Sequence, residues 1–140
     1  MTILLIAIGC LPFLLGGIIN AYMMQHMDVT PPFFLISVLF LVIWSTIAFF
    51  MRPHMESTRK TAMWLNLVAL VVLILLGVQE LWFGAYWLNA IGLWTQLFYL
   101  PLMNVGFSLT MWSHSVFVAY LICFSLMVVV SVIGCNWRKR

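Results

Sequence analysis

The sequence predicts an all-α integral membrane protein with four transmembrane helices, which form one domain over residues 1–140. Asp, Glu, Lys and Arg supply 6% of the residues, and hydrophobic residues supply 66%. An average soluble domain has about 25% charged residues. The mean hydropathy of the chain is +1.17. So few charges cannot cover a water-soluble surface, and the lipid bilayer is therefore the predicted solvent.

Four apolar runs have the length of about 20 residues that a helix needs to cross a bilayer. They cover residues 2–25, 33–51, 61–80 and 112–136. The second run follows Thr30, Pro31 and Pro32, where threonine can cap a helix and proline is tolerated in the first turn. Because only a short link around Asp28 separates the first two runs, they are expected to form a tight antiparallel hairpin.

All six basic side chains lie in two short stretches, residues 52–60 and residues 138–140. Short loops rich in Lys and Arg stay on the cytoplasmic side of a membrane. Four spans then place both stretches, and both termini, in the cytoplasm, with Asp28 and Glu80 outside. The basic stretches are expected to meet anionic lipid headgroups, and no nucleic-acid partner is predicted.

Residues 81–111 form an uncharged segment that is rich in aromatic side chains and interrupted by glycine and proline. Trp and Tyr favour the headgroup boundary, and Gly and Pro disfavour one regular helix. The segment is therefore predicted to be interfacial or re-entrant, at the outer surface between the third and fourth spans. Its predicted contacts with lipid or a partner are Trp82, Tyr86, Trp87 and Trp94. The alternative is a fifth span, which would put one basic stretch outside.

A stripe of small and polar residues marks one face of the first span. At 100° per residue, Gly9, Pro12, Gly16 and Asn20 project within one arc, which is typical of a close helix interface. Pro12 can also kink the helix. Asn66 is the polar residue deep in the third span, and it is predicted to tether neighbouring helices through hydrogen bonds.

Imidazole and carboxylate groups are expected at similar depth near the outer boundary, namely those of His26, Asp28, Glu80 and His114. His26 and His114 are candidate cofactor ligands, because two histidines on different helices can hold a haem from opposite sides. The simpler interpretation is that these side chains are hydrated at the headgroup level. The four groups could also bind a divalent metal or relay protons if they converge. No metal site is assigned, and the three cysteines lack the spacing of a zinc motif.

The sequence contains none of the common enzyme signatures, such as GxSxG, HExxH or a phosphate loop. The leading hypothesis is a non-catalytic small membrane subunit or accessory protein, which packs in the bilayer against a larger membrane complex or another copy of itself and stabilises or regulates the assembly. One alternative is a membrane carrier that binds haem, quinone or lipid. Another is a small oligomeric transporter with a polar path lined by Asn20 and Asn66.

Overall fold

The computed structural model of the chain describes residues 2–137, in which all regular secondary structure is helical. The prediction of an all-α chain is confirmed for this part. Eight α-helices follow one another within these residues: α1 (Thr2–Gly9), α2 (Leu11–Gln25), α3 (Phe33–Met51), α4 (Thr58–Leu65), α5 (Leu67–Gly77), α6 (Ala90–Tyr99), α7 (Met103–Leu109) and α8 (Val116–Trp137). Short helical turns join some of them, at Arg52–His54, Val78–Trp82 and Leu100–Leu102.

Three helical stretches among the described residues are long and apolar enough to cross a membrane. They are Thr2–Gln25, which contains α1 and α2, Phe33–His54, and Val116–Trp137. A fourth stretch reaches that length only as a bent pair, Thr58–Leu65 with Leu67–Trp82, whose axes differ by 49°. The chain therefore has the character of an integral membrane protein.

The structure shifts the predicted bounds of the last two runs. The third run begins at Thr58, because the Ser57 side chain caps α4 by accepting a hydrogen bond from the Lys60 amide at 3.2 Å. It bends at Asn66 and continues through a π-helical turn to Trp82. The last helix begins at Val116 rather than at residue 112, because the residues before it turn through the local contact of the Ser115 amide with Ser113 Oγ, at 3.2 Å.

The helices place basic and acidic residues at opposite ends of the bundle. We call the end that carries residues 52–60 the basic end, and the end that carries Asp28 and Glu80 the acidic end. α3 and α8 run side by side from the acidic end to the basic end, since Cys135 Sγ lies 3.5 Å from the Ala48 carbonyl at the basic end. Hydrogen bonds and close backbone contacts, rather than ion pairs, join the described helices; the ion pair seen there is local, between Lys60 and Glu56.

Residues 83–115 leave the acidic end of α5 and return to it. The Trp87 amide donates to Gln79 Oε1 at 3.0 Å on the way in, and Ser115 Oγ donates to the Glu80 carboxylate on the way out. Between them, Tyr99 Oη donates to the Ala69 carbonyl at 2.6 Å. Ala69 lies about 15 Å below Gln79 along a helix that rises about 1.5 Å per residue. α6 therefore descends into the bundle and α7 ascends from it.

Side chains from two long helices support the turn between α6 and α7. Pro101 lies in this turn and interrupts the regular helix. The carbonyl of Pro101 accepts a hydrogen bond of 2.7 Å from Ser37 Oγ on α3, and the carbonyl of Leu102 accepts one of 3.4 Å from Cys123 Sγ on α8. Buried backbone carbonyls that lose their helical partners must find others. Ser37 and Cys123 thus make the buried turn possible.

Candidate functional site

The Glu80 carboxylate joins three segments at the acidic end of the bundle. It accepts hydrogen bonds from Tyr86 Oη, from Ser115 Oγ and, at 2.7 Å, from the amide of Phe117. Phe117 lies in the first turn of α8, whose amides lack helical partners and carry the positive end of the helix dipole. Glu80 therefore acts as an external cap for α8. We call Glu80, Tyr86, Ser115 and Phe117 the Glu80 cluster.

Gln79, the residue before Glu80, binds the first part of residues 83–115, whereas Glu80 binds the last part. Its side chain is buried, with Nε2 donating to Thr95 Oγ1 at 3.1 Å and Oε1 accepting from the Trp87 amide at 3.0 Å. Gln79 and Glu80 both lie in the π-helical turn Val78–Trp82, a type of irregularity that occurs frequently at functional sites. Two adjacent side chains thereby tie the loop before α6, α6 itself and the start of α8 to the end of the third run.

The phenol of Tyr86 is a neutral donor to Glu80. Burial raises the pKa of Tyr86, and the hydrogen bond to Glu80 and the negative charge of that carboxylate raise this pKa further. A pKa that is higher in the folded chain than in the unfolded chain adds stability that is complete below the ordinary tyrosine pKa of about 10. This contribution is lost as the pH rises above that value, because the phenolate cannot donate to Glu80.

A second polar group lies in the middle of the bundle, at the bend between α4 and α5. Asn66 Oδ1 accepts from Trp44 Nε1 at 3.1 Å, and Asn66 Nδ2 donates to Ser131 Oγ at 3.0 Å and to the Ala62 carbonyl at 2.9 Å. Asn66 is buried, and these bonds join α3, α4 and α8. No buried side-chain nitrogen or oxygen in residues 2–137 lacks a hydrogen-bond partner. The Asn66 amide is therefore engaged within the chain.

The small-residue stripe of the first span packs against other helices of the same chain. A Cβ on Gly9 would lie 3.0 Å from the Leu65 carbonyl oxygen, and a Cβ on Gly16 would lie 1.9 Å from the Leu97 carbonyl oxygen. Pro12 is buried between these glycines, whereas Asn20 is half-buried. The contacts that the structure gives to Gly9 and Gly16 are internal, and their use against a partner chain stays a prediction.

The four groups expected at the outer boundary do not form a metal site. In the described part of the chain, no three His, Cys, Asp or Glu side chains are placed to hold a metal ion. His26 is exposed and stacks on Tyr22, with ring centroids 4.5 Å apart. His114 is exposed and lines a small pocket with residues of its own segment, 107–116. The two imidazoles thus have separate, local surroundings, and a haem between them stays a prediction.

The predicted aromatic contacts divide into exposed and half-buried side chains. Trp82 is 83% exposed and Trp94 is 48% exposed. Tyr86 and Trp87 are half-buried, because Tyr86 bonds to Glu80 and the Trp87 backbone packs on Gly92. The sequence prediction missed other large, exposed apolar side chains at this end, namely Leu81, Phe83, Leu88, Met111 and Trp112. We call these five residues and Trp82, six residues in all, the acidic-end apolar surface.

Sequence reasoning also missed the partners of Glu80 and Gln79. Ser115 and Thr95 are ordinary small polar residues in the sequence, and Ser115 lies 35 positions from Glu80. One signal was available, since Glu80 is a carboxylate beside a long apolar run without a basic residue nearby. Such a group needs hydrogen-bond donors, and the nearest sources are a helix N-terminus and hydroxyl groups.

Over residues 2–137 the fold is that of an all-helical protein with three helices long and apolar enough to cross a membrane. Comparison with protein-family models, curated proteins and solved structures gave no match. The functional argument therefore depends on the geometry of this chain alone.

Proposed function

We propose that the chain is a non-catalytic accessory subunit of a larger membrane assembly and that it binds this assembly through the acidic-end apolar surface. In this proposal the chain has four spans, α4 and α5 together forming the third. Both termini lie in the cytoplasm, and the segment from α6 to α7 is re-entrant from the outer side.

The four-span arrangement is supported by the polar groups at the bend of the third span. A break in a membrane helix frees backbone groups that lipid cannot satisfy. At this bend, the Asn66 side chain bonds to Trp44 and Ser131 and donates to the backbone carbonyl of Ala62 within the chain. The grouping of the basic residues supports a cytoplasmic position for the basic end.

Cysteine labelling tests this topology. Cysteines introduced at His54 and Trp137, which are exposed at the basic end, are expected to react only with a membrane-permeant maleimide in intact cells. A cysteine at Asp28, which is exposed at the acidic end and lies outside the acidic-end apolar surface, is expected to react with an impermeant reagent as well. Each variant is made in a background with Cys10 and Cys135 replaced by alanine and Cys123 replaced by serine, which keeps a donor to the Leu102 carbonyl. Labelling of His54→Cys and Trp137→Cys from opposite sides would rule out four spans.

The observation that carries the functional proposal is the position of the acidic-end apolar surface. Lipid tails cover apolar side chains on long spans, but Leu81, Trp82, Phe83 and Leu88 lie where the regular helix ends. Trp82 and Leu88 are 83% and 103% exposed. Irregular backbone at membrane depth is tolerated where protein covers it. Exposed apolar side chains on such backbone are typical of a protein contact.

The engagement of the polar groups supports a role without catalysis. The Glu80 carboxylate and the amides of Gln79 and Asn66 are bonded to groups of this chain. Each of these side chains joins segments of the fold. Because the polar groups have a structural role, we infer that the chain acts through its apolar exterior.

Purification from native membranes tests the proposal. The wild-type chain is expected to be recovered with at least one other membrane protein in a mild detergent. Trp82→Ser should weaken that association roughly 30-fold, because an interface tryptophan of the hot-spot kind contributes about 2 kcal/mol or more. Ile3→Ser is the matched control, since Ile3 is also 83% exposed but lies at the basic end.

Two results would contradict the proposal. One is recovery of the chain as a solitary monomer under conditions that preserve other complexes of the same membrane. The other is equal loss of the partner with Trp82→Ser and Ile3→Ser, which would assign the effect to general destabilisation. Expression of the two variants must be matched before the comparison.

A further inference from the structure

Three of the ten methionines of the chain lie within five consecutive residues at the acidic end of the bundle. They are Met23, Met24 and Met27, and His26 lies among them. Met24 is 64% exposed and Met27 is 80% exposed, whereas Met23 is half-buried. The His26 side chain is also exposed. We call these four residues the methionine–histidine cluster.

The end of α2 brings these four side chains close to one another. The amide of His26 still donates to the carbonyl four residues earlier, at 3.0 Å, so His26 follows the last turn of the helix. The Val29 amide then donates to the His26 carbonyl at 3.1 Å, which folds the chain into a turn that contains Met27. Side chains three or four positions apart on a helix are neighbours. Met23 and Met24 precede Met27 by four and three positions, and their sulfur atoms can therefore converge beside the imidazole.

The imidazole of His26 is held in an orientation that leaves one ring nitrogen free to bind a metal ion. Its Nδ1 lies 3.2 Å from the Tyr22 carbonyl oxygen, and the ring stacks on the Tyr22 ring. A carbonyl only accepts, so Nδ1 carries the proton and the lone pair of the neutral imidazole is on Nε2. Histidines that bind metals usually donate their other ring N–H to a carbonyl or carboxylate, which fixes the tautomer and the ring orientation. His26 has this arrangement without a metal ion.

The ligand types of the cluster select a soft ion. Thioether sulfur binds Cu(I), and imidazole also binds copper. Zn²⁺ takes its ligands from Cys, His, Asp and Glu side chains. In residues 2–137, no three side chains of these types are placed to hold a metal ion. The methionine–histidine cluster therefore suits Cu(I) better than Zn²⁺.

The charge near the cluster favours a cation. Asp28 follows the cluster directly, and the chain has no Lys or Arg before Arg52. Arg52 lies at the far end of α3, at the basic end of the bundle. No basic side chain of the first span or of the link to α3 therefore repels a positive ion at the cluster.

We propose that the methionine–histidine cluster binds one Cu(I) ion, with His26 Nε2 and the methionine sulfur atoms as ligands. The methionine side chain is unbranched and flexible, so its sulfur can adjust to the ion without a change in the backbone. The site includes one histidine and does not depend on His114. It also uses none of the residues of the acidic-end apolar surface. The site therefore goes beyond the accessory role proposed above, and it can hold whether or not a partner protein is found.

Titration of the purified full-length chain in detergent tests the site. Cu(I) is kept in solution by acetonitrile under nitrogen, its binding is measured by isothermal titration calorimetry, and bound ions are counted by native mass spectrometry. Cys10→Ala is the background for every measurement, because the exposed Cys10 thiol is itself a soft ligand. We expect one Cu(I) ion to bind, Ag(I) to compete with it, and Zn²⁺ to bind more weakly.

Substitutions within the cluster identify the ligands. His26→Phe removes the imidazole but keeps an aromatic ring, and Met27→Leu removes a sulfur atom but keeps a similar apolar volume. Loss of a group that only supports a metal ligand costs about 10–100-fold in affinity, so loss of a ligand should weaken Cu(I) binding at least about tenfold. Replacing all three methionines of the cluster by leucine should abolish Cu(I) binding. Because the substituted side chains are mostly exposed and Met and Leu are similar in volume, the variants are expected to fold.

Met63→Leu is the matched control. Met63 is 56% exposed, but it lies in α4 at the basic end of the bundle. We expect this variant to bind Cu(I) as tightly as the background chain does. X-ray absorption at the copper edge of the loaded chain gives a second measurement, and it should show sulfur and nitrogen neighbours of the ion.

Four results would overturn the site. Equal affinity of the background chain and the variant without the three methionines would show that the thioethers are not ligands. An unchanged affinity of His26→Phe would contradict the role of Nε2. Equal losses in Met27→Leu and Met63→Leu would show that the effect does not depend on the cluster. Tighter binding of Zn²⁺ than of Cu(I) would contradict a site for a soft ion.

Discussion

Gly16→Ala will destabilise the chain by about 3 kcal/mol, the upper end of the usual cost of overpacking a core. The new methyl group would lie 1.9 Å from the carbonyl oxygen of Leu97, so α2 and α6 must move apart. Leu97 contributes backbone at this contact, which cannot rotate away as a flexible side chain can. We expect a lower melting temperature of the purified chain in detergent, measured through tryptophan fluorescence.

Gly17→Ala is a closely matched control. A methyl group on Gly17 would lie 3.5 Å from the ring of Trp94, which is an ordinary van der Waals distance. Both substitutions replace glycine by alanine inside α2, and each gains about 0.5–1 kcal/mol of helix propensity. We therefore expect Gly17→Ala to be neutral or slightly stabilising. Equal melting temperatures of the two variants would contradict the close packing of α2 on α6.

The sequence predicted the long helices well because their length and hydropathy are local properties. The prediction of residues 33–51 matches α3, Phe33–Met51, and Pro12, where a kink was predicted, lies beside the boundary between α1 and α2. Hydropathy does not predict the bend at Asn66, because the residues on both sides of it, 62–65 and 67–77, are apolar. The bend depends on bonds to Trp44 and Ser131, which come from distant parts of the chain.

The segment at residues 81–111 was predicted only in outline. Its Gly and Pro residues indicated an irregular element. The descent through α6 and the ascent through α7, however, depend on which distant side chains donate hydrogen bonds to its carbonyls. Ser37, which supports the turn at Pro101, is 64 residues away in the sequence. Such a pair of a serine and a distant carbonyl cannot be predicted from the sequence alone, because many serines are chemically equivalent before folding.

For the candidate site, too, the sequence predicted local properties of residues but not their distant partners. The spacing of Gly9 and Gly16 indicates a close helix contact, and the structure places both against helices of the same chain. A stripe of small residues specifies how closely a backbone can approach, but not which helix approaches it. The charge of Glu80 similarly marked it as unusual in the sequence without identifying its donors.

Glu80→Ala will release both the start of α8 and the loop that contains Tyr86. The substitution removes the acceptor of Tyr86 Oη, Ser115 Oγ and the Phe117 amide. Loss of a helix cap typically costs about 1 kcal/mol, and each buried donor left without a partner costs about 1–3 kcal/mol. Since the Glu80 cluster is partly exposed and water can replace some of the bonds, we expect a total of about 3 kcal/mol.

Hydrogen exchange of the purified chain checks where this stability is lost. Faster exchange is expected at the start of α8 and in residues 83–89, with little change at the bend near Asn66. Glu80→Gln keeps an acceptor of the same shape but replaces one oxygen with a donor, and it should fall between the wild type and Glu80→Ala. Glu56→Ala is the control, because Glu56 is exposed at the basic end and pairs with Lys60 four residues away. Equal exchange at α8 in Glu80→Ala and Glu56→Ala would rule out the capping role, because the same loss of a carboxylate would then act without regard to its position.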